Sequence, residues 1–169
     1  MKSRLLLATL LVASTLAAEA AYEKKLIHVL EQLRQCQGAS PEGIVPMVGG
    51  PAVGLGGAPH EFYLLFPYVN RLASEEDLVA MLGDKSPVVR IMAAKCILNR
   101  KKTSIAVSKV DVLLKDTTQV CVAPFGCIMF VRTVGDVIGE LKKNPEFLGD
   151  IKEPNQASEP TAPSGRGSP

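Results

Sequence analysis

The sequence predicts an all-α fold built from short helical hairpins. Apolar residues from Val88 to Ile97 fall in two adjacent rows at four-residue spacing, which is the pattern of a broad buried helix face. Serines precede both helices of this hairpin, at Ser74 and Ser86, where a hydroxyl oxygen can accept a hydrogen bond from the first helical turn. Pro87 stands at the first position of the second helix, where its fixed backbone angle suits a helix start.

Residues 1–20 have the three-part pattern of a secretory signal peptide. Basic residues precede the apolar run 5–16, and Ala18 and Ala20 occupy the two positions that a signal peptidase recognises. The run has 12 residues, whereas a helix needs roughly 20 to span a bilayer. We therefore expect cleavage after Ala20, or alternatively after Ala17, and export to the periplasm or the outside of the cell.

Length and charge limit the class of protein. The 169 residues leave one domain, residues 21–149, between the leader and a polar C-terminal segment. The formal net charge of +2 is too small to favour binding to nucleic acid or to an anionic membrane. No second apolar run is long enough to span a membrane, so we expect no membrane span in the mature chain. Residues 150–169 hold four prolines and no aromatic residue, which predicts a disordered tail.

The first part of the domain predicts a helix, a long loop and a second helix. Residues 22–37 carry apolar side chains at helical spacing. Residues 38–59 hold 7 of the 14 glycines and 4 of the 12 prolines, which predicts a loop without regular structure. A phosphate-binding loop is a weaker alternative because no Gly-Lys-Ser/Thr follows. Residues 59–72 predict an aromatic-rich helix that starts at Pro59 and that Pro67 kinks or divides.

The hairpin between Ser74 and Asn99 carries the strongest structural signals. Ser74 and Asp77 resemble a capping box, and Gly83 ends the first helix. A basic patch closes the second helix: Lys95, Arg100, Lys101 and Lys102. Such a run is typical of a solvated helix end, and a site for an acidic partner surface is the alternative.

Residues 78–98, LVAMLGDKSPVVRIMAAKCIL, resemble a HEAT-type helical repeat. In that family an apolar helix ends in Leu-x-Asp, a proline-bearing turn follows, and a Val-Arg pair leads an Ala-rich helix. The matching residues are Leu82, Asp84, Pro87, Val89, Arg90, Ala93 and Ile97. The resemblance implies a short stack of helical hairpins and a polar ladder formed by Asp84 and Arg90. It also implies a concave helical surface that binds a protein or another macromolecule.

A second, degenerate copy of the repeat follows 32 residues later. Residues 114–116 repeat the Leu-x-Asp of residues 82–84, and the pattern then fails. Residues 121–132 interrupt the expected helix and predict an insertion or a strand-like detour. A helix restarts at Thr133, with Thr133 and Asp136 as a second capping pair. Stacked repeats generally need at least three copies, so the N-terminal helices must complete the core.

The four cysteines favour disulfides because their number is even and the chain has an export leader. We expect a Cys121–Cys127 bridge around a short loop, whose rigid tip presents Phe125 to a partner. Two buried free thiols are the alternative. For Cys36 and Cys96, a bridge and two packed thiols are equally good interpretations.

No catalytic constellation stands out in the sequence, and no cofactor is indicated. A metal site of Cys121 and Cys127 with His28 or His60 has the wrong spacing for a zinc knuckle. A Cys–His nucleophile using His60 lacks a supporting motif. The leading prediction is a non-enzymatic exported module that binds an unidentified protein or envelope macromolecule. The alternatives are a thiol-dependent redox or accessory enzyme that uses the Cys121/Cys127 loop, and a structural envelope protein tethered by its tail.

Overall fold

A computed structural model describes residues 24–40, 43–100 and 104–149, which form six α-helices, one 3-10 helix and four strands. The helices are α1 (Lys24–Gln35), α2 (Glu61–Leu72), α3 (Glu75–Met81), α4 (Pro87–Arg100), α5 (Ser104–Val110) and α6 (Val134–Lys143). The 3-10 helix is Asp111–Lys115. The strands are β1 (Gln37–Ser40), β2 (Gly43–Val53), β3 (Gln119–Gly126) and β4 (Phe130–Thr133). The predicted signal peptide, 1–20, and the predicted tail, 150–169, lie outside the described residues.

The fold is mixed α/β, so the prediction of an all-α, HEAT-like hairpin stack is wrong. The strands form one sheet in the order β1-β2-β3-β4. The outer pairs β1–β2 and β3–β4 are antiparallel, and the central pair β2–β3 is parallel. Parallel neighbours require a crossover connection, which α2 to α5 and the 3-10 helix supply here. The hairpin recognised in the sequence is therefore one part of a β–α–β connection.

The glycine- and proline-rich segment 38–59, predicted as an irregular loop, contains most of β1 and all of β2. Two of its glycines are positions of close packing. A Cβ atom on Gly50 would overlap the carbonyl oxygen of Pro124 in β3, and one on Gly49 would lie 2.5 Å from the side chain of His60. Glycine in a strand often marks such a close approach. The loop prediction failed because it counted these glycines as breakers of regular structure.

Helix α2 begins at Glu61, two residues later than predicted, and it runs through Pro67 without being divided. His60 is its N-cap, and the Nδ1 atom accepts a hydrogen bond from the N–H of Phe62 at 3.1 Å. An accepting Nδ1 belongs to a neutral imidazole. Burial lowers the pKa of His60, which favours that neutral form.

The helix starts predicted at Ser74, Pro87 and Thr133 are confirmed, whereas the predicted Ser86 cap stays a prediction. Ser74 and Asp77 form a capping box at the start of α3, and α4 begins at Pro87. A second capping box, formed by Thr133 and Asp136, opens α6. Both apolar rows of α4 are buried. Because caps satisfy N–H groups that have no partner within the helix, they fix where each helix begins.

The two faces of the sheet differ. Val48 and Val122 belong to the main core, which they share with the buried sides of the helices. Met47, Cys121 and Ala123 form a separate small cluster. Since successive residues of a strand point to opposite faces, the helical core lies against one face and the small cluster occupies the other, which we call the outer face. Across the described ranges, no helix combines the length and the apolar character needed to cross a membrane.

Candidate functional site

Two turns meet at the end of the sheet where β2 and β3 finish. Val53 pairs with Gly126, and the N–H of Gly54 donates to the carbonyl oxygen of Gly126 at 2.7 Å. The first turn closes because the N–H of Val53 donates to the carbonyl oxygen of Ala58, also at 2.7 Å. The φ angles of Gly54 and Gly126, 74° and 55°, favour glycine at these corners. The backbone therefore holds the two turns side by side.

Four large apolar side chains are exposed on these turns, and we call them the apolar tip. Leu55 is 99% exposed, and Phe125, Ile128 and Met129 are each about half exposed. Single exposed apolar residues are normal on protein surfaces. A cluster that includes an aromatic ring and a methionine on a fixed backbone is typical of an interaction site.

The segments that form the tip carry no charge. No Asp, Glu, Lys or Arg occurs from Gly43 to Pro59 or from Thr117 to Val131. Charged side chains are depleted from the cores of protein–protein interfaces. Their absence from both segments concentrates apolar surface at one end of the sheet.

The tip continues into the outer face of the sheet. Phe125 follows Ala123 and Cys121 at intervals of two residues along β3, so its side chain emerges on the same side. Val131 of β4 pairs with Cys121 and is partly exposed. The small buried residues of the outer face are thus flanked by larger exposed ones.

Cys121 and Cys127, predicted to form a disulfide, are both free thiols in the structure. Cys121 is buried, whereas Cys127 is exposed just beyond the end of β3. A strand rises about 3.3 Å per residue, so β3 separates the two Cα atoms by more than the ~7 Å that a disulfide tolerates. A bridge would require β3 to give up its pairing. Phe125 is exposed as predicted, but the β2–β3 pairing holds it in place.

Cys36 and Cys96 are also free, and both are buried. The pKa of each thiol is raised to about 12, by burial at Cys96 and by burial together with the neighbouring Glu61 carboxylate at Cys36. Both groups therefore stay protonated near neutral pH. Of the two interpretations of this pair, packed thiols are the one found in the structure.

Asp84 and Arg90, the predicted ladder pair, contact each other, but not through the Asp84 carboxylate. Nη1 of Arg90 donates to the backbone carbonyl oxygens of Asp84 at 2.7 Å and Lys85 at 3.0 Å. The carboxylate that Arg90 contacts belongs to Asp116, at 2.9 Å. The carboxylate of Asp84 pairs instead with Arg34 of α1, at 2.7 Å.

The two aspartates occupy matching turns. Oδ1 of Asp84 accepts from the N–H of Ser86 at 2.8 Å, and Oδ1 of Asp116 accepts from the N–H of Thr118 at 2.9 Å. In each case Oδ2 accepts from an arginine of an earlier helix. The 32-residue repeat found in the sequence is therefore a repeat of turn geometry, and a strand rather than a helix follows its second copy.

Lys95 and Arg100 were predicted to belong to an exposed basic patch. Both side chains instead donate hydrogen bonds to backbone carbonyl oxygens of other segments. Lys95 is 1% exposed, and its Nζ donates to two backbone carbonyl oxygens within residues 145–147, at 3.3 and 2.7 Å. Arg100 donates to carbonyl oxygens at the C-terminal end of α2. The patch prediction is wrong for these two residues, while Lys101 and Lys102 lie outside the described residues.

Neither histidine belongs to a group of side chains that could bind a metal ion within the described residues. His28 is exposed, 3.9 Å from Glu31, and His60 caps α2. In the part of the chain that the structure describes, no group of three or more His, Cys, Asp or Glu side chains is arranged to hold a metal ion.

Comparison with known proteins gives this chain no family. No family model matches it, and no curated protein matches it either. The apolar tip is therefore the feature of the molecule that best indicates a function.

Proposed function

We propose that this protein is an exported, non-enzymatic binding module that docks on another protein through the apolar tip. The observation that carries the proposal is the joining of two charge-free turns, which presents four exposed apolar side chains together. Aromatic and other large side chains that are already held in position lose little entropy on binding, so they supply much of the affinity at many interfaces.

A protein partner suits the tip better than a lipid surface does. Segments that bind anionic membranes combine apolar side chains with clusters of Lys and Arg. Beyond the charge-free stretch that ends at Val131, one basic residue follows, Arg132, and the stretch that ends at Pro59 is followed by His60 and Glu61. The complementary surface is an uncharged apolar pocket with a polar rim.

The remaining parts of the chain are consistent with this role. The predicted signal peptide directs export. The hairpin α3–α4, which resembles a HEAT repeat in sequence, supplies part of the rigid layer behind the sheet. A thiol enzyme has less support, because burial raises the pKa of Cys121 and so opposes formation of a thiolate.

The test compares the wild type with a Leu55→Ser/Phe125→Ser double variant and with Val112→Ser. Val112 is 75% exposed on the 3-10 helix, so it controls for the loss of an exposed apolar side chain outside the tip. Proteins captured from the native exported fraction are purified, and their dissociation constants are measured for each variant whose melting temperature matches the wild type.

We expect a partner that binds the wild type and Val112→Ser equally and the double variant at least about tenfold more weakly. Equal affinity for all three proteins contradicts the proposal. So does adsorption of the wild type to protein-free lipid vesicles that the double variant loses, since this would assign the tip to a membrane.

A further inference from the structure

A second surface lies between the edge strand β4 and helix α6. A cavity of about 490 Å³ opens there. Its lining includes Val122, Phe130, Arg132, Val137, Gly139 and Phe147. The volume falls within the range of cavities that accept small molecules or side chains. None of the four residues of the apolar tip lines it.

The outer edge of β4 is available for pairing. β4 is the last strand in the sheet order and pairs with β3 alone among the described strands. In the described ranges, no element other than β3 forms a backbone hydrogen bond with residues 130–132. An edge strand presents a row of N–H and C=O groups to which an extended peptide can add.

Phe130 and Arg132 face the cavity together. Phe130 pairs with Val122 and Arg132 pairs with Val120, and both valines are buried in the main core. Paired residues share one face of a sheet, so Phe130 and Arg132 lie on the helix side, two residues apart. Residues opposite them on an added strand would also be two apart and would point toward the cavity.

Arg132 is the exposed basic residue of β4 that a ligand carboxylate could meet in this groove. Lys143 pairs with Glu140 at 3.0 Å. The carboxylate of Asp136 accepts from the N–H and the hydroxyl of Thr133 in the capping box of α6. Arg132 lies over the ring of Phe130 at 5.1 Å. Hydrogen bonds from Thr133 lower the pKa of the Asp136 carboxyl, and the nearby charge of Arg132 lowers it further. Arg132 therefore has a carboxylate neighbour in the groove, but within the described residues its N–H groups form no hydrogen bond with that carboxylate. Its guanidinium can therefore take a carboxylate from a ligand in the two-bond geometry that Arg favours.

We propose that an extended peptide adds to β4 as a fifth strand of the described sheet, with an apolar side chain in the cavity and an acidic side chain against Arg132. The register defines the recognised pattern as one apolar and one acidic residue separated by a single residue. The four residues of β4 limit the paired segment to about four ligand residues, because an added strand gains ladder hydrogen bonds only alongside its neighbour.

Gly139 provides a variant that blocks the cavity while sparing the core. A Cβ atom on Gly139 meets no atom within 4 Å, and the residue lies inside α6. Leucine has a higher helix propensity than glycine, so Gly139→Leu should melt at or above the wild-type temperature while its side chain occupies the cavity. Arg132→Glu reverses the one charge that the proposal uses.

The probe is a phage library of random octapeptides, selected on the full exported chain and then on both variants, with selected peptides measured by fluorescence anisotropy. We expect the wild type to enrich peptides with an apolar and an acidic residue at two-residue spacing, and Gly139→Leu to bind them at least about tenfold more weakly. Arg132→Glu should instead enrich a basic residue at the second position. The Leu55→Ser/Phe125→Ser double variant should bind these peptides as the wild type does, which separates this proposal from the function proposed for the tip.

Three outcomes overturn the proposal. The first is the absence of any enriched pattern on the wild type. The second is unchanged peptide affinity in Gly139→Leu or an unchanged acidic preference in Arg132→Glu. The third is loss of peptide binding in the Leu55→Ser/Phe125→Ser double variant, which would place the peptide on the apolar tip.

Discussion

The guanidinium of Arg90 lies 2.9 Å from the carboxylate of Asp116 and also donates to the carbonyl oxygen of Asp84 at 2.7 Å. This one side chain joins the turn before α4 to the turn before β3. Because β3 carries Phe125 to the apolar tip, the contact connects the helical hairpin to the position of the candidate site.

We expect Arg90→Ala to destabilise the protein by about 1.5–3 kcal/mol, because it removes charge-assisted hydrogen bonds at a largely buried site. Lys115→Ala, at an exposed position, should stay within about 0.5 kcal/mol of the wild type. Urea unfolding of both variants gives the comparison. Equal midpoints for the two would show that Arg90 does not join the turns.

Stability should depend on the ionisation of Asp116. Partial burial pushes the pKa of this carboxyl up, but hydrogen bonds from Thr118 and Arg90 outweigh burial and hold the pKa below its usual range. A lowered folded-state pKa stabilises the protein above the unfolded-state pKa of about 3.9, and this contribution is lost as the pH falls through the folded-state value. The gap in unfolding free energy between the wild type and Asp116→Asn should therefore be widest near neutral pH and close below about pH 4. A gap that stays constant through the acid range would contradict this account.

The sequence predicted the helical part of the fold well because caps and apolar rows are local signals. Ser74 with Asp77, Pro87, and Thr133 with Asp136 each mark a helix start, and each start is confirmed. The sheet was missed because its evidence is not local. Gly50 gives no sign in the sequence that the carbonyl group of Pro124, far along the chain, will pack against it.

That packing can be tested with two glycines of the same segment. We expect Gly50→Ala to destabilise the protein by about 1–3 kcal/mol, because the added methyl group overlaps the carbonyl oxygen of Pro124. Gly56→Ala is the control, since a Cβ atom there meets no atom within 4 Å. Thermal unfolding of the two variants decides the matter, and a Gly50→Ala protein as stable as Gly56→Ala would argue against the β2–β3 pairing.

The four thiols should differ in reactivity. Cys127 is exposed and should react with a thiol reagent in the native protein, whereas the other three are buried and should react only after unfolding. Burial raises the pKa of all three, which keeps them in the unreactive thiol form. Mass-spectrometric mapping under non-reducing conditions measures this directly. Recovery of a Cys121–Cys127 cross-linked peptide would show that β3 does not remain paired in the native protein.

The candidate site was only partly visible in the sequence. Phe125 was predicted as a contact residue, but Leu55, Ile128 and Met129 were not. Leu55 lies 70 residues before Phe125 in the chain, so their proximity depends on the parallel pairing of β2 with β3. The sequence did contain one signal for this site, which is the absence of charged residues from 43–59 and from 117–131. That signal points to a common site only when the structure shows that the two turns meet.

Site-specific photo-crosslinking shows directly whether the apolar tip contacts a protein partner. A photoreactive amino acid is placed at position 55, 125 or 112 of the full-length protein, and irradiation is carried out in the native cells that produce it. We expect one protein adduct of the same discrete mass from positions 55 and 125 and none from position 112. No adduct from positions 55 and 125, or the same adduct from all three positions, would contradict this expectation.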